Sequence, residues 1–262
     1  MITSTKNPQI KHLRSLLTNR KDRRSERLFV IEGVRLVEEA FQAQAEIAIL
    51  VYNREQLTLT ERGAALIEQF VGLAQAYEVA PEVLQAVSDT VTPQGVVAAV
   101  RWPELESPMY GVVLVLDALQ DPGNVGTLLR SAVATGIGQV ICTVGTADVY
   151  SPKVARAAMG AHFRLAIAQD VSWDDAPLML STTDNVYAAV AEASMPYYAA
   201  DWRQPSALIV GNEANGVSAA GLEIATKQIA IPMAPGVESL NAAVAGSVIL
   251  FEMQRQRKLG RS

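Results

Sequence analysis

Three stretches of this 262-residue chain place side chains that can bind anions or hold a carboxylate where an apolar run ends. The first is Asp117 to Arg130 (DALQDPGNVGTLLR), the second Leu208 to Ser218 (LIVGNEANGVS), and the third Ile231 to Glu252 (IPMAPGVESLNAAVAGSVILFE). Each opens with a strand-like run, breaks at Gly, Pro or Asn, and continues as a helical pattern. Polar residues gathered at three such breaks have the look of a ligand site at the strand ends of an α/β sheet.

In the first stretch, Asp121-Pro122-Gly123 ends a strand and Asn124 can cap the helix that follows. A helix start presents free N–H groups to an anion. Gly126 and Arg130 are four apart and share a helical face. Arg130 could hold a phosphate with two parallel hydrogen bonds, or pair with a carboxylate. In the second stretch, Leu208–Val210 stops at Gly211, and Asn212, Glu213 and Gly216 follow. Two glycines around a carboxylate let a ligand lie against bare backbone; the same residues also suit a plain turn, with Ser218 as the next cap. In the third, Pro232, Pro235 and Gly236 stiffen a loop, and Ser239 and Asn241 flank Leu240 at a helix start. Ser239 could be the cap there, and loops of this kind at strand ends often bind ligands. No GxGxxG follows a strand, which argues against a dinucleotide site.

The elements that must position these residues follow from patterning. VVLVLDAL, QVICTV, FRLAIA, NVYAAVA, ALIVGN and QIAIPM read as strands, apolar nearly throughout, which predicts a parallel sheet covered on both faces. A final helix over 240–257 begins with small residues and runs through Val248 to Phe251 apolar nearly all round, which predicts burial on more than one side. Ahead of residue 101, a helix opening at Asn7-Pro8 places Ile10, Leu13, Leu16 and Leu17 on one face. A basic turn, the strand LFVIEG, a helix near 34–44, the strand EIAILVY, a longer helix over 60–77, a helix from Pro81 and the strand GVVAAV follow. That alternation predicts a small α/β unit. The proline- and acid-rich Arg101–Pro108 reads as a linker, dividing the chain into domains 1–103 and 109–262.

Composition narrows the chemistry. The single Cys142, in an apolar run, cannot form an internal disulfide, and two histidines leave little for a His-based metal site or triad. No apolar run approaches the length of a bilayer span, and the N-terminus has no apolar signal core, so a cytoplasmic protein working without metal or membrane is expected. Eight basic and two acidic side chains give residues 1–30 a charge of +6, against −5 for the whole chain. A basic arm on an acidic body suggests a polyanionic partner, with Arg20, Lys21, Arg23 and Arg24 as its contacts; a solvated surface is the other reading.

Taken together, N-x-G-x-x-x-R (124–130), G-N-E-x-x-G (211–216) and I-P-M…S-L-N (231–241) resemble the SpoU (TrmH-like) branch of the SPOUT RNA methyltransferases, over roughly residues 109–262. SPKVARAAMGAHFRL (151–165) is similar to the family's segment between the first two motifs. Residues 1–100 resemble, more weakly, the ribosomal-protein-like RNA-binding domain that often precedes the catalytic one. The resemblance implies a C-terminal trefoil-knotted, parallel-sheet SPOUT methyltransferase domain after a small α/β RNA-binding domain. It implies S-adenosylmethionine as methyl donor, no metal, a homodimer, and transfer to a ribose 2′-hydroxyl of RNA, ribosomal RNA first. A transfer RNA methyltransferase and a non-catalytic RNA-binding or ribosome-assembly protein are the alternatives. Carried over by match, Gly211, Asn212, Gly216, Ile231, Pro232, Met233 and Leu240 would meet the cofactor, and Asn124, Arg130, Glu213, Ser239 and Asn241 would form the polar wall of the active site. Ala214 and Ala158 stand where the family often has Gly and Ser.

Overall fold

Caps written into the sequence set where the helices begin. Asn7, Asp121, Ser151 and Ser218 each accept a hydrogen bond from an N–H in the first turn, and the first three are each followed by a proline. The computed structural model describes residues 1–70, 72–107 and 111–259. Val71, the junction residues Pro108, Met109 and Tyr110, and the last three residues lie outside the described residues.

The first hundred residues form α1 (Pro8–Thr18), α2 (Arg20–Glu26), β1 (Leu28–Glu32), α3 (Val34–Gln42), β2 (Ile47–Tyr52), α4 (Arg54–Leu57), α5 (Glu61–Phe70), β3 (Ala76–Glu78), α6 (Pro81–Gln85) and β4 (Val96–Arg101). The rest forms β5 (Val112–Leu116), α7 (Pro122–Thr135), β6 (Gln139–Thr143), α8 (Pro152–Ala158), β7 (Ala166–Val171), α9 (Ala176–Met179), β8 (Asn185–Ala189), β9 (Met195–Pro196), β10 (Ser206–Val210), α10 (Ala219–Ile224), β11 (Lys227–Ala230) and α11 (Ala242–Leu259).

The chain folds as two compact units, Met1–Pro103 with Tyr150–Phe163, and Glu104–Val149 with Arg164–Ser262. In the first unit the sheet runs β1-β4-β2-β3, with β4 antiparallel to both neighbours. Ile10, Leu13 and Leu16 of α1 pack onto Leu28, Val30, Ile49, Val51 and Val97 of that sheet. Residues 150–163, which the sequence reading assigns to the later domain, belong to this unit. There Phe29 of β1 lies 5.2 Å, ring centre to ring centre, from both Tyr150 and His162.

The second unit is a seven-stranded sheet, β7-β6-β5-β10-β8-β11-β9, parallel at every pairing. One face packs Val113, Val115, Ile141 and Ile209 against Trp173, Leu180 and Leu222. On the other, α11 lies against α7 so closely that a Cβ on Gly246 would stand 2.6 Å from Leu128. Both faces are thus covered, as the apolar strands predict.

Local expectations need correction. The helix over 60–77 ends at Phe70, because Gly72 takes a left-handed φ of 93°, and Ala76–Glu78 then pairs with β2 as a strand. The basic turn is the helix α2. Asp121, not Asn124, caps α7, which leaves Asn124 in the first helical turn. The last helix starts at Ala242, capped by Asn241 rather than Ser239, since Asn241 Oδ1 accepts from the Ala243 and Val244 N–H groups.

Candidate active site

β5 and β10 are neighbours in register, Leu116 beside Val210, so the loops that follow them leave the sheet side by side. Those loops are the first two polar breaks, and they are laced together. Asn212 Nδ2 donates to the Ala118 carbonyl at 2.8 Å, while its Oδ1 accepts from Ala214 and Asn215 N–H at 2.9 and 3.2 Å. Every polar atom of that side chain is therefore engaged in shaping loops. Gly211 is required for the same reason: a Cβ there would lie 2.1 Å from the Gly216 backbone. The absent side chain makes room for the loop's own return, closed by paired 2.9 Å bonds between Asn212 and Gly216.

Glu213 reaches across to the start of α7. Its carboxylate accepts from the N–H of Gln120 (3.1 Å) and Asp121 (3.0 Å) and from Asn124 Nδ2 (3.0 Å). Partial burial pushes its pKa up, but the bonds from Asn124, Asp121 and Gln120 outweigh this and hold it below the ordinary glutamate value. Asn124 Oδ1 in turn accepts from Asn241 Nδ2 at 2.9 Å. One hydrogen-bonded chain, Glu213–Asn124–Asn241, thus joins all three sequence breaks.

Beside it lies a cleft of about 480 Å³ at the strand ends, within the range of small-molecule sites. Val210, Val217, Leu222, Ile229 and Ile249 make an apolar floor, and Gly211, Asn212, Glu213, Gly216, Ile231, Met233, Ser239 and Leu240 line the rest. Pro232, also expected at a cofactor, instead faces an adjoining depression shared with Glu192 and Tyr198. Arg130 lies exposed two turns into α7, and among the described residues no carboxylate pairs with it, which removes one of its two readings.

In the first unit, Arg20, Lys21 and Arg24 are exposed on α2, but Arg23 is not with them. It is 5% exposed and its guanidinium donates to the Leu16 and Leu17 carbonyls at 2.6 and 3.2 Å, tying α2 to the end of α1. The sequence reading missed Asp117, a buried carboxylate beneath the paired loops. Its only signal is an acid placed directly after the apolar run VVLVL. Among the described residues no group of three or more His, Cys, Asp or Glu could hold a metal ion, and no helix is long and apolar enough to cross a membrane.

A parallel α/β sheet with a ligand-sized cleft and a fixed polar wall at its strand ends defines a protein that holds a small cofactor beside a polar reaction site. The comparisons give the family. Residues 111–251 match the SpoU rRNA Methylase family and residues 7–98 the MRM3-like substrate binding domain. The chain belongs to the SpoU rRNA methylase family. It is 37% identical to an uncharacterized tRNA/rRNA methyltransferase of Synechocystis, over 98% of this chain and 94% of that one. It is 32% identical to the 23S rRNA (guanosine(2553)-2′-O)-methyltransferase RlmP of Bacillus subtilis, over 97% and 98%. Its fold matches the crystal structure of the SpoU methyltransferase AviRb from Streptomyces viridochromogenes in complex with AdoMet, with a TM-score of 0.85 at 27% identity, over 97% and 99%.

Proposed function

We propose that the protein transfers a methyl group from S-adenosylmethionine to a ribose 2′-hydroxyl of ribosomal RNA. The observation that carries this is the Glu213–Asn124–Asn241 chain at the rim of the cleft, which holds three separate strand ends in one geometry. The cleft fits the cofactor by the chemistry of its lining: an apolar floor for an adenosyl group, backbone at residues 231–233 for polar contacts, and Glu213 among the lining residues as a nearby negative charge for a cationic ligand.

Bound there, the sulfonium supplies an already activated methyl group. What the chain must add is alignment, and the rigid strand ends provide it. Gly211, Asn212, Gly216, Ile231, Met233 and Leu240 hold the cofactor, largely through backbone, and Pro232 stiffens the loop between them. Glu213 is a positioning residue. Its oxygens are filled by three donors and its pKa is lowered, so it is a poor base and instead fixes Asn124 and the start of α7. Arg130, exposed and without a carboxylate partner, binds the phosphate next to the target ribose and stabilises charge developing at the attacking oxygen. Ser239 and Asn241 complete the polar wall.

The unit of residues 1–103 with 150–163 supplies RNA binding, with Arg20, Lys21 and Arg24 as phosphate contacts, and the unit of residues 104–149 with 164–262 supplies methyl transfer, its loops forming the family's trefoil knot. The protein acts in the cytoplasm as a homodimer. Support for the dimer comes from α11, where Val244 and Phe251, seven residues apart and so on one face, remain 48% and 52% exposed. Mapping 2′-O-methyl groups in ribosomal RNA from cells with and without the gene tests the activity. One site should vanish on deletion and return with the wild-type gene. An unchanged ribosomal map with a changed transfer RNA map would move the substrate to transfer RNA.

A further inference from the structure

The carboxylate of Asp117 is 2% exposed, yet donors from three distant parts of the second unit converge on it. Oδ1 accepts from Trp173 Nε1 at 3.2 Å and from the Thr143 hydroxyl at 3.3 Å, and Oδ2 accepts from the Ser218 N–H at 2.7 Å. Ser218 is both the end of the 211–218 loop and the cap of α10. The other ties on this loop, from Asn212 and Glu213, are made by partly or fully exposed side chains. The Ser218 bond is the one made to a buried carboxylate, and it fixes the end that carries Gly216 and Val217 into the cleft.

We infer that Asp117 is a positioning residue for the cofactor loop, setting its closed shape through the Ser218 N–H; this rests on the reading of the cleft as the S-adenosylmethionine site. A carboxylate is the group that fits. It offers two acceptor oxygens and no donor, and all three partners are donors here. Asparagine keeps the shape but turns an NH2 toward the Ser218 N–H or the Trp173 indole, leaving donor against donor in a buried place. Trp173 donates to the same carboxylate without a hydrogen bond to the loop, whereas Thr143 also accepts from the N–H of Ala118, whose carbonyl holds Asn212. Trp173 therefore separates a loss of loop shape from a general loss of stability.

The test uses the full-length protein. Asp117→Asn should raise the KM and Kd for S-adenosylmethionine by about tenfold or more, the scale of a lost hydrogen bond to a charged group. At saturating cofactor its kcat should stay close to that of the wild type, the pattern of lost binding that is uniform along the reaction. Trp173→Phe should lower the Tm and leave that KM unchanged. Amide exchange on the wild type adds a measurement that needs no variant: the Ser218 amide should exchange as slowly as those of β5 and β10. Wild-type cofactor affinity in Asp117→Asn, an equal rise of KM in Asp117→Asn and Trp173→Phe, or exchange of Ser218 at loop rates would each overturn the inference. A wild-type protein that binds no S-adenosylmethionine would instead defeat the cofactor reading.

Discussion

Asn241 Nδ2 donates to Asn124 Oδ1 at 2.9 Å, while Asn241 Oδ1 caps α11. One amide therefore fixes the start of the last helix and joins it to the first turn of α7. The two tasks use opposite ends of the side chain, and substitutions can separate them. Asn241→Ala loses both, and the lost cap should lower stability by about 1 kcal/mol. Asn241→Asp keeps an acceptor for the cap but cannot donate to Asn124. Its melting temperature should stay near that of the wild type while initial rates of methyl transfer fall, as a thermal melt and a rate assay on the same sample would show.

Arg130 offers the opposite case, an exposed side chain with no hydrogen bond or ion pair among the described residues. Arg130→Ala should leave the Tm and the cofactor Kd unchanged and slow methyl transfer by a factor on the order of 10²–10³, the scale of one lost transition-state contact. Arg130→Lys should also be slow, because an ammonium cannot form the two-pronged bond. Single-turnover rates at saturating cofactor and RNA decide this, and a near-normal rate in either variant removes the phosphate role.

On α2, the four basic residues should separate three to one. Replacing Arg20, Lys21 and Arg24 together by Ala should weaken RNA binding and flatten its salt dependence, since each phosphate contact releases counterions. Arg23→Ala should act on stability instead, because its guanidinium holds the Leu16 and Leu17 carbonyls. RNA titrations at several salt concentrations, with a melt of each variant, distinguish the two outcomes.

Acid should loosen the site through Glu213. Its folded pKa lies below its unfolded value, so its contribution to stability is present above the ordinary glutamate range and is lost as pH falls through the folded value. Stability at neutral pH should therefore not vary on its account, and the loss should begin only below the ordinary glutamate value. Glu213→Gln should show a smaller drop in Tm on acidification than the wild type. Equal drops would mean that the tie to Asn124 and the α7 start contributes nothing to folding.

Cys142 tests the interior of the second unit. Burial first, and then the charge of Asp170, raise its pKa to about 12, so almost no thiolate exists at neutral pH. A thiol reagent at about pH 8, near the ordinary thiol value, should label the native protein only at the rate of its unfolding and the denatured protein within the mixing time.

The three polar breaks are legible in the sequence because parallel strands are apolar throughout, and Gly, Pro and Asn mark where each one stops. The partners across the breaks are not. Asp121 and Asn124 are both good caps, and only the fold shows that the first takes that place and frees the second for Glu213 and Asn241. Asp117 is hidden for a related reason. Its partners lie 26, 56 and 101 residues away, and no local pattern marks such contacts. Gly211 shows the converse: its presence is plain in sequence, but the atoms it makes room for belong to the loop itself.

The membership of Tyr150–Phe163 in the first unit means that the chain changes unit three times along its length. A gene fragment ending at residue 103 therefore does not encode that unit whole, since it omits the Tyr150 and His162 rings that cover Phe29. Exchanging residues 1–103 alone would leave Tyr150–Phe163 facing a foreign partner. The incoming segment would have to be accompanied by fourteen matching residues in the middle of its neighbour's sequence.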